Sequence, residues 1–214
     1  MQQEYKARLQ QGIEGLNLDI SDAKVDELIE YHRLLVKWNS AYNLTAVRVA
    51  MDMIDRHLID SLGIIDHLSG VKRLIDVGSG GGMPGLIIAI MFPEMQITLL
   101  DSNGKKTRFL QQVKTCLKLT NVTVVQSRLE VFDVPQNELF DCITSRAFST
   151  LKDMVDKSQQ LLSDGGQYLA MKGLYPTDEI AQLPLGFKAS EVTPLTIPFA
   201  DGERHLVSIK RAND

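Results

Sequence analysis

Asp76-Val77-Gly78-Ser79-Gly80-Gly81-Gly82-Met83-Pro84-Gly85 places five glycines within residues 78–85. A short β-rich apolar run, 73–77, leads into it, and a helix-length apolar run, 84–92, follows. Glycine density at a strand-to-helix turn admits positive φ and lets the backbone come within contact distance of a ligand. Pro84 suits the first helical turn, where a missing N–H costs nothing. A turn that only redirects the chain does not need so many glycines, so the loop is expected to lie against a ligand.

The alternation continues outward. Strands are expected at 73–77, 96–101, 122–126, 140–145 and 167–171. Helices fit at 84–92, 105–117 and 151–162, the last stopped by Ser163-Asp164-Gly165-Gly166. Near-continuous apolar strands separated by helices specify a parallel sheet covered on both faces, an α/β fold. The rhythm then breaks: a strand at 187–197, a loop with Ala200-Asp201-Gly202-Glu203 and a strand at 204–210 can only be antiparallel neighbours. Upstream of Gly70 the pattern is helical, with Ser21 as an N-cap and Val25, Leu28, Ile29, His32, Leu35 and Val36 at helical spacing, then a shorter helical stretch at 51–66. Two segments result: a helical extension, 1–70, packed on a sheet-forming domain, 71–214, as one unit.

The 214 residues carry 23 Lys+Arg against 27 Asp+Glu, a net charge of −4, and are 44% hydrophobic, a globular composition. Two cysteines, Cys116 and Cys142, and the lack of a charged-then-apolar leader point to a reducing cytoplasm. Both cysteines are expected in the core. The longest apolar run, 86–92, is seven residues, against the roughly 20 that span a bilayer. With no exposed apolar stripe, a monomer is expected. The histidines show no metal-ligand spacing, and no metal is expected.

Gly80 to Gly85 spells G-x-G-x-x-G, and Asp101 ends the next strand where a ribose-binding carboxylate belongs. This is compatible with a dinucleotide. However, the glycine run begins at Gly78, and Asp76 stands just ahead of it. Asp-x-Gly-x-Gly-x-Gly there resembles motif I of the class I methyltransferases, which bind S-adenosylmethionine, and the terminal hairpin matches the reversed last strand of that seven-stranded, Rossmann-like sheet.

The ordered set is closer still: Trp38-Asn39-Ser40-Ala41-Tyr42-Asn43-Leu44-Thr45, Arg56-His57-Leu58-Ile59-Asp60-Ser61-Leu62, the glycine loop, Asp101-Ser102-Asn103-Gly104-Lys105-Lys106, Gln126-Ser127-Arg128-Leu129-Glu130, Ser145-Arg146-Ala147-Phe148, Met171-Lys172-Gly173 and Gly202-Glu203-Arg204-His205. From about residue 38 onward it resembles the bacterial ribosomal RNA small-subunit methyltransferase G family, also called glucose-inhibited division protein B. The resemblance implies methyl transfer from S-adenosylmethionine to N7 of a guanine in the 530 loop of 16S rRNA, on naked RNA or a small-subunit particle. By position it places the cofactor against Asp76, Gly78, Ser79, Gly80, Gly82 and Met83. Asp101, Ser102 and Asn103 would meet its ribose and adenine, Leu129 and Glu130 would flank the adenine, and Arg146 would close the site.

Guanine N7 presents a lone pair and has no proton to lose, so no general base is required and orientation carries the rate. Arg146 and Arg128 are the candidates for orienting the base. Lys105, Lys106, Arg128, Lys172 and Arg204 are candidates for RNA phosphates, with Phe148 as a stacking partner. For Arg204, a local ion pair with Glu203 or Asp201 is the rival reading. Two absences agree: Ser145-Arg146-Ala147-Phe148 stands where an exocyclic-amine methyltransferase carries an (Asn/Asp)-Pro-Pro-(Tyr/Phe) box, and neither cysteine is placed as a nucleophile.

A methyltransferase acting on a small molecule or protein, and a non-catalytic nucleotide-binding module, are the alternatives. Against the first stands the window 102–128, with six basic residues and no acid, while residues 1–35 hold seven acids and four bases. Local charge, rather than the net value, indicates the partner. Calorimetry separates the cofactors: S-adenosylhomocysteine is expected to bind and NAD is not, and binding of NAD alone would overturn the assignment.

Overall fold

The computed structural model describes residues 2–146 and 149–212. Seven strands form one sheet: β1 (Arg73–Val77), β2 (Gln96–Asp101), β3 (Val122–Gln126), β4 (Phe140–Arg146), β5 (Leu162–Lys172), β6 (Phe187–Pro194) and β7 (His205–Arg211), in the order β3-β2-β1-β4-β5-β7-β6. The first five are parallel, and β7 runs antiparallel to both β5 and β6. Successive side chains of a strand face opposite sides, and the core divides accordingly. Leu74, Leu99, Cys142, Leu169 and Leu206 enter one hydrophobic cluster, and Ile75, Leu100, Ile143, Ala170 and Val207 enter the other.

The helices are α1 (Gln2–Gly15), α2 (Asp22–Tyr42), α3 (Ala50–Met53), α4 (Asp60–Leu62), α5 (Gly85–Met91), α6 (Gly104–Cys116), α7 (Leu151–Ser158) and α8 (Thr177–Ala181). β1, β2 and β3 fall on their expected boundaries. Pro84 is the N-cap of α5 rather than its first residue. A π-helical turn, Ile54–Ile59, joins α3 to α4 where a single helical stretch was expected, and a 3-10 turn, Ile65–Leu68, follows. The short helix α8 was not foreseen.

The main departure from the sequence expectation is at Ser163-Asp164-Gly165-Gly166. These residues belong to β5, which starts at Leu162, and α7 ends at Ser158. Phe140 pairs with Leu162 and Cys142 with Gln167, so β5 bulges outward, with Gly165 at φ +72°. Pairing with β4 on both sides of the bulge outweighs the local turn signal.

α2 caps with Ser21 at the predicted position, although the hydroxyl makes no capping bond. Val25, Leu28, Tyr31 and Leu35 are buried along its inner face, and Leu9 of α1 joins them. These residues lie in the same cluster as Leu86, Leu99 and Leu206, so the extension and the sheet share a core. Cys142 is buried, but Cys116 is exposed on α6, a correction to its expected core position.

The Tyr31 hydroxyl, fully buried, donates to the Gly81 carbonyl at 2.7 Å. A helix of the extension therefore holds the glycine loop. Tyr31→Phe leaves a buried carbonyl short of a donor, a cost of about 1–2 kcal/mol, expected as a drop of roughly 3–6 °C in thermal midpoint for a chain of this size; an unchanged midpoint would show the bond to be idle.

Candidate functional site

The glycine loop leaves β1 at the carboxyl edge of the sheet, beside the point where the strand order reverses between β1 and β4. Ligands of open α/β sheets sit at that edge. Gly78 takes φ +73°, and nothing lies within 4 Å of where a Cβ would be. Its N–H and that of Ser79 donate to the Leu100 carbonyl at 2.8 and 3.1 Å, pinning the loop to β2. A cleft of about 520 Å³ opens there, within the usual size for a small-molecule site.

The cleft joins residues from three strand ends: Gly78, Asp101 and Ser102, then Arg128, Leu129 and Glu130. Lys106 lines it as well. Asp101 is nearly buried, and its two oxygens accept from Gly80 N at 2.9 Å and Asn103 N at 2.8 Å. Lys106 Nζ is 3.6 Å from Oδ2. A carboxylate offers about four lone-pair positions, so this one, held by two N–H donors, retains capacity for a pair of ribose hydroxyls. The open position at Gly78 and the acceptor-only Asp101 fit S-adenosylmethionine.

Other predicted contacts are placed differently. Asp76 is fully buried beneath the loop, its Oδ2 accepting from Gly85 N at 3.0 Å and its Oδ1 unpartnered. A Cβ on Gly85 would stand 2.3 Å from Leu99 Cδ2 and 2.8 Å from that Oδ2, so the position has room only for glycine. Burial pushes the Asp76 carboxyl up to about 7, against the opposing pull of the Gly85 N–H. Ser79 is buried and donates to the Asp76 carbonyl at 2.7 Å. Gly82 faces Leu86 and Leu110, and the Asn103 side chain caps α6 through Lys105 N. These four shape the cleft from behind its lining.

Arg146 ends β4 and turns toward the extension rather than into the cleft. Its Nη1 donates to the Arg56 carbonyl at 2.8 Å and lies 3.5 Å from Asp60 Oδ2; its Nη2 is 3.1 Å from His57 Nδ1 and 3.4 Å from Met83 Sδ. Arg204 donates through Nε to Asp60 Oδ1 at 2.7 Å. Both guanidiniums thus share one buried carboxylate, so Arg204, a candidate for RNA phosphates, pairs with Asp60 and not with the Glu203 or Asp201 of the rival reading. Asp201 pairs with Arg56 instead. Burial, then the Arg146 charge, push the His57 imidazole down to about 4, while its Nε2 lies 2.7 Å from Thr45 Oγ1. With His57 neutral, the trio keeps one positive charge beside Met83.

Lys172, expected at RNA, bonds both Glu179 oxygens at 3.0 and 2.7 Å and is drawn onto α8. Lys105 is exposed on α6. Phe148 lies outside the described residues. Sequence assigns no site role to Asp60 or Tyr31 and only a structural or surface one to His57, although Asp60 and His57 stand in the quoted run Arg56 to Leu62.

Residues 24–207 match the family described as rRNA small subunit methyltransferase G. The protein named Ribosomal RNA small subunit methyltransferase G from Chromobacterium violaceum is 52% identical over 203 residues, covering 95% of this chain and 96% of that one. Its namesake from Pseudomonas syringae pv. tomato is 48% identical over 210 residues, covering 97% of each. Among solved structures, a SAM dependent methyltransferase from Aquifex aeolicus matches with TM-score 0.57 at 14% identity, over 70% of this chain and 88% of that one. A ribosomal protein L11 methylase from Lactobacillus delbrueckii subsp. bulgaricus matches with TM-score 0.56 at 15%, over 73% and 78%. At such identities the likeness concerns the fold.

The two shifted groups act oppositely on stability. His57, depressed, adds stability as pH rises from about 4 to its unfolded value near 6.5. Asp76, raised, loses it as pH rises from near 3.8 to about 7, since the unfolded chain ionises first. Relative to the parent, Asp76→Asn is expected to gain on the order of 4 kcal/mol between pH 4 and pH 7 at about 1.4 kcal/mol per unit, read from denaturant unfolding at each pH; a difference that does not vary with pH would overturn the raised carboxyl.

Proposed function

The chain belongs to the rRNA small subunit methyltransferase G family, and from that premise we propose that it methylates N7 of a guanine in the 530 loop of 16S rRNA. S-adenosylmethionine is its cofactor. The observation that carries the reading is the joining of two sites at one sheet edge: a glycine-floored cleft with Asp101, and beside it the Arg146–Asp60–Arg204 cluster touching Met83 of the same loop.

Bound there, S-adenosylmethionine supplies an electrophilic methyl group on a sulfonium. Gly78 would give it backbone to lie against, Asp101 would hold its ribose, and Leu129 and Glu130 would flank its adenine. The acceptor needs no proton removed, so the side chains act by orientation. A guanidinium can donate to guanine O6 and leave N7 free for attack. Arg146, braced by Arg56, Asp60 and His57, is preorganised for that task and loses little entropy on binding. Arg128, exposed at the cleft, is placed for a phosphate or the base. Asp60 cancels one of two guanidinium charges and limits repulsion toward the sulfonium. Such an enzyme works in the bacterial cytoplasm; among the described residues no helix is long and apolar enough to cross a membrane.

The test is transfer of labelled methyl to small-subunit rRNA from cells lacking this activity, with the product identified as N7-methylguanosine. Label confined to free nucleosides or protein would overturn the substrate. Arg146→Ala is expected to lower kcat on the order of a hundredfold, as for removal of one oriented donor, with S-adenosylhomocysteine affinity little changed. Transfer lost only in proportion to thermal stability would make Arg146 a structural residue.

A further inference from the structure

Outside the cofactor cleft, the fold brings together two acid-free stretches far apart in sequence. Residues 102–128 carry six basic residues and residues 31–51 carry three, Arg33, Lys37 and Arg48. α2 packs on α6 through Tyr31 and Trp38 against Phe109, with ring centroids 6.4 and 5.6 Å apart. Between the two helices lies a shallow cleft of about 350 Å³, lined by Leu34, Lys37, Trp38, Ala41, Tyr42 and Gln112. Tyr42 is 43% exposed, and its ring is 5.2 Å from that of Trp38 at 35°.

This cleft connects to the cofactor site along α6. Lys106, in the first turn, lines the cofactor cleft, while Lys105, Arg108 and Gln112 follow one exposed face at helical spacing. From Lys105 to Gln112 that face covers about 10 Å. None of the ion pairs among the described residues involves Lys37, Arg48, Lys105 or Arg108. The amino-terminal half of α2 is different: Glu30 neutralises Arg33, and Asp26 pairs with Lys6. The uncompensated charge thus begins beyond Glu30 and extends toward the catalytic edge.

We infer that the α2–α6 face is a second RNA-docking surface, on which Lys37 and Arg108 hold phosphates and Tyr42, backed by Trp38, stacks an unpaired base of the same rRNA that presents the target guanine. The inference rests on the rRNA reading of the catalytic site. Unneutralised cations alternating with an exposed aromatic match a single-stranded polyanion, because phosphates supply the affinity and bases of any identity stack. A solvated helix face accounts for the lysines but not for the exposed Tyr42 on Trp38 beside them.

The probes are in-vitro-transcribed 16S rRNA and small-subunit particles from cells lacking the methyl group, with Kd measured across a salt series. Lys37→Gln combined with Arg108→Gln is expected to weaken binding at least tenfold and to reduce the slope of log K against log salt by about two. Tyr42→Ala is expected to weaken binding on the order of tenfold at unchanged slope, since stacking releases no counterions. S-adenosylhomocysteine affinity should match the parent in every variant. Parental slope and Kd, with rRNA still methylated, would overturn the surface and leave the function standing. Failure of the parent protein to methylate rRNA would overturn the function itself. A defect on protein-containing particles but not on naked rRNA would make the occupant a protein, and a parallel loss of S-adenosylhomocysteine affinity would make the effect one of folding; either overturns the inference.

Discussion

A loop of five glycines has more backbone freedom to lose than any other segment of its length, so its shape has to be imposed from outside. Three buried or nearly buried side chains impose it. Asp76, from the strand below, takes the Gly85 N–H; Asp101, from the neighbouring strand, takes the Gly80 N–H; Tyr31, from the helical extension, donates to the Gly81 carbonyl. Each comes from a different element, so the loop takes its working shape only where β1, β2 and α2 are docked together. The cofactor cleft inherits its geometry from that junction. Asp76, orphaned at Oδ1 and with its carboxyl raised by burial, is the destabilising element of the arrangement.

The helical extension is consequently part of the site. Besides Tyr31, it supplies the π-helical turn that carries His57, and Asp60 just beyond it. Without Asp60, two guanidiniums at the sheet edge would face each other uncompensated; with it, Arg146 and Arg204 become a braced pair bearing one net charge. Thr45 and Asn39 complete the support. Thr45 Oγ1 lies against His57, and the buried Asn39 amide bonds both Thr45 N and the Val47 carbonyl, ordering the loop after α2. The extension thus holds the cofactor loop, the braced arginines and the basic surface alongside α6.

What was legible in the sequence had local causes. Strand period, glycine density and the terminal hairpin are written within a few residues of one another, and β1, β2 and β3 begin and end where those signals place them. That Asp101 lines the cleft was readable because it ends β2 at the carboxyl edge of the sheet. What the structure adds beyond the sequence reading has a common origin. Ser163 to Gly166 have turn chemistry, yet the pairing of β5 with β4 carries them into a bulge. Lys172 and Arg204 are cations at strand ends, but nothing adjacent in sequence announced that Glu179 and Asp60 would hold them. Asn103 has the side chain of a ligand-binding residue and that of a helix cap, and the start of α6 takes the cap.

The sequence by itself determined the sheet and its reversed hairpin, the glycine loop after β1, the carboxylate at the end of β2 and the concentration of positive charge alongside them. Only the tertiary structure decided which side chains face the ligand and which face one another. Periodicity and turn propensity act over a few residues, whereas the contacts that brace Arg146 and Arg204 join residues 86 and 144 positions apart. The partner of a buried charge is set by which elements pack together, because burial makes an unpaired charge too costly to leave.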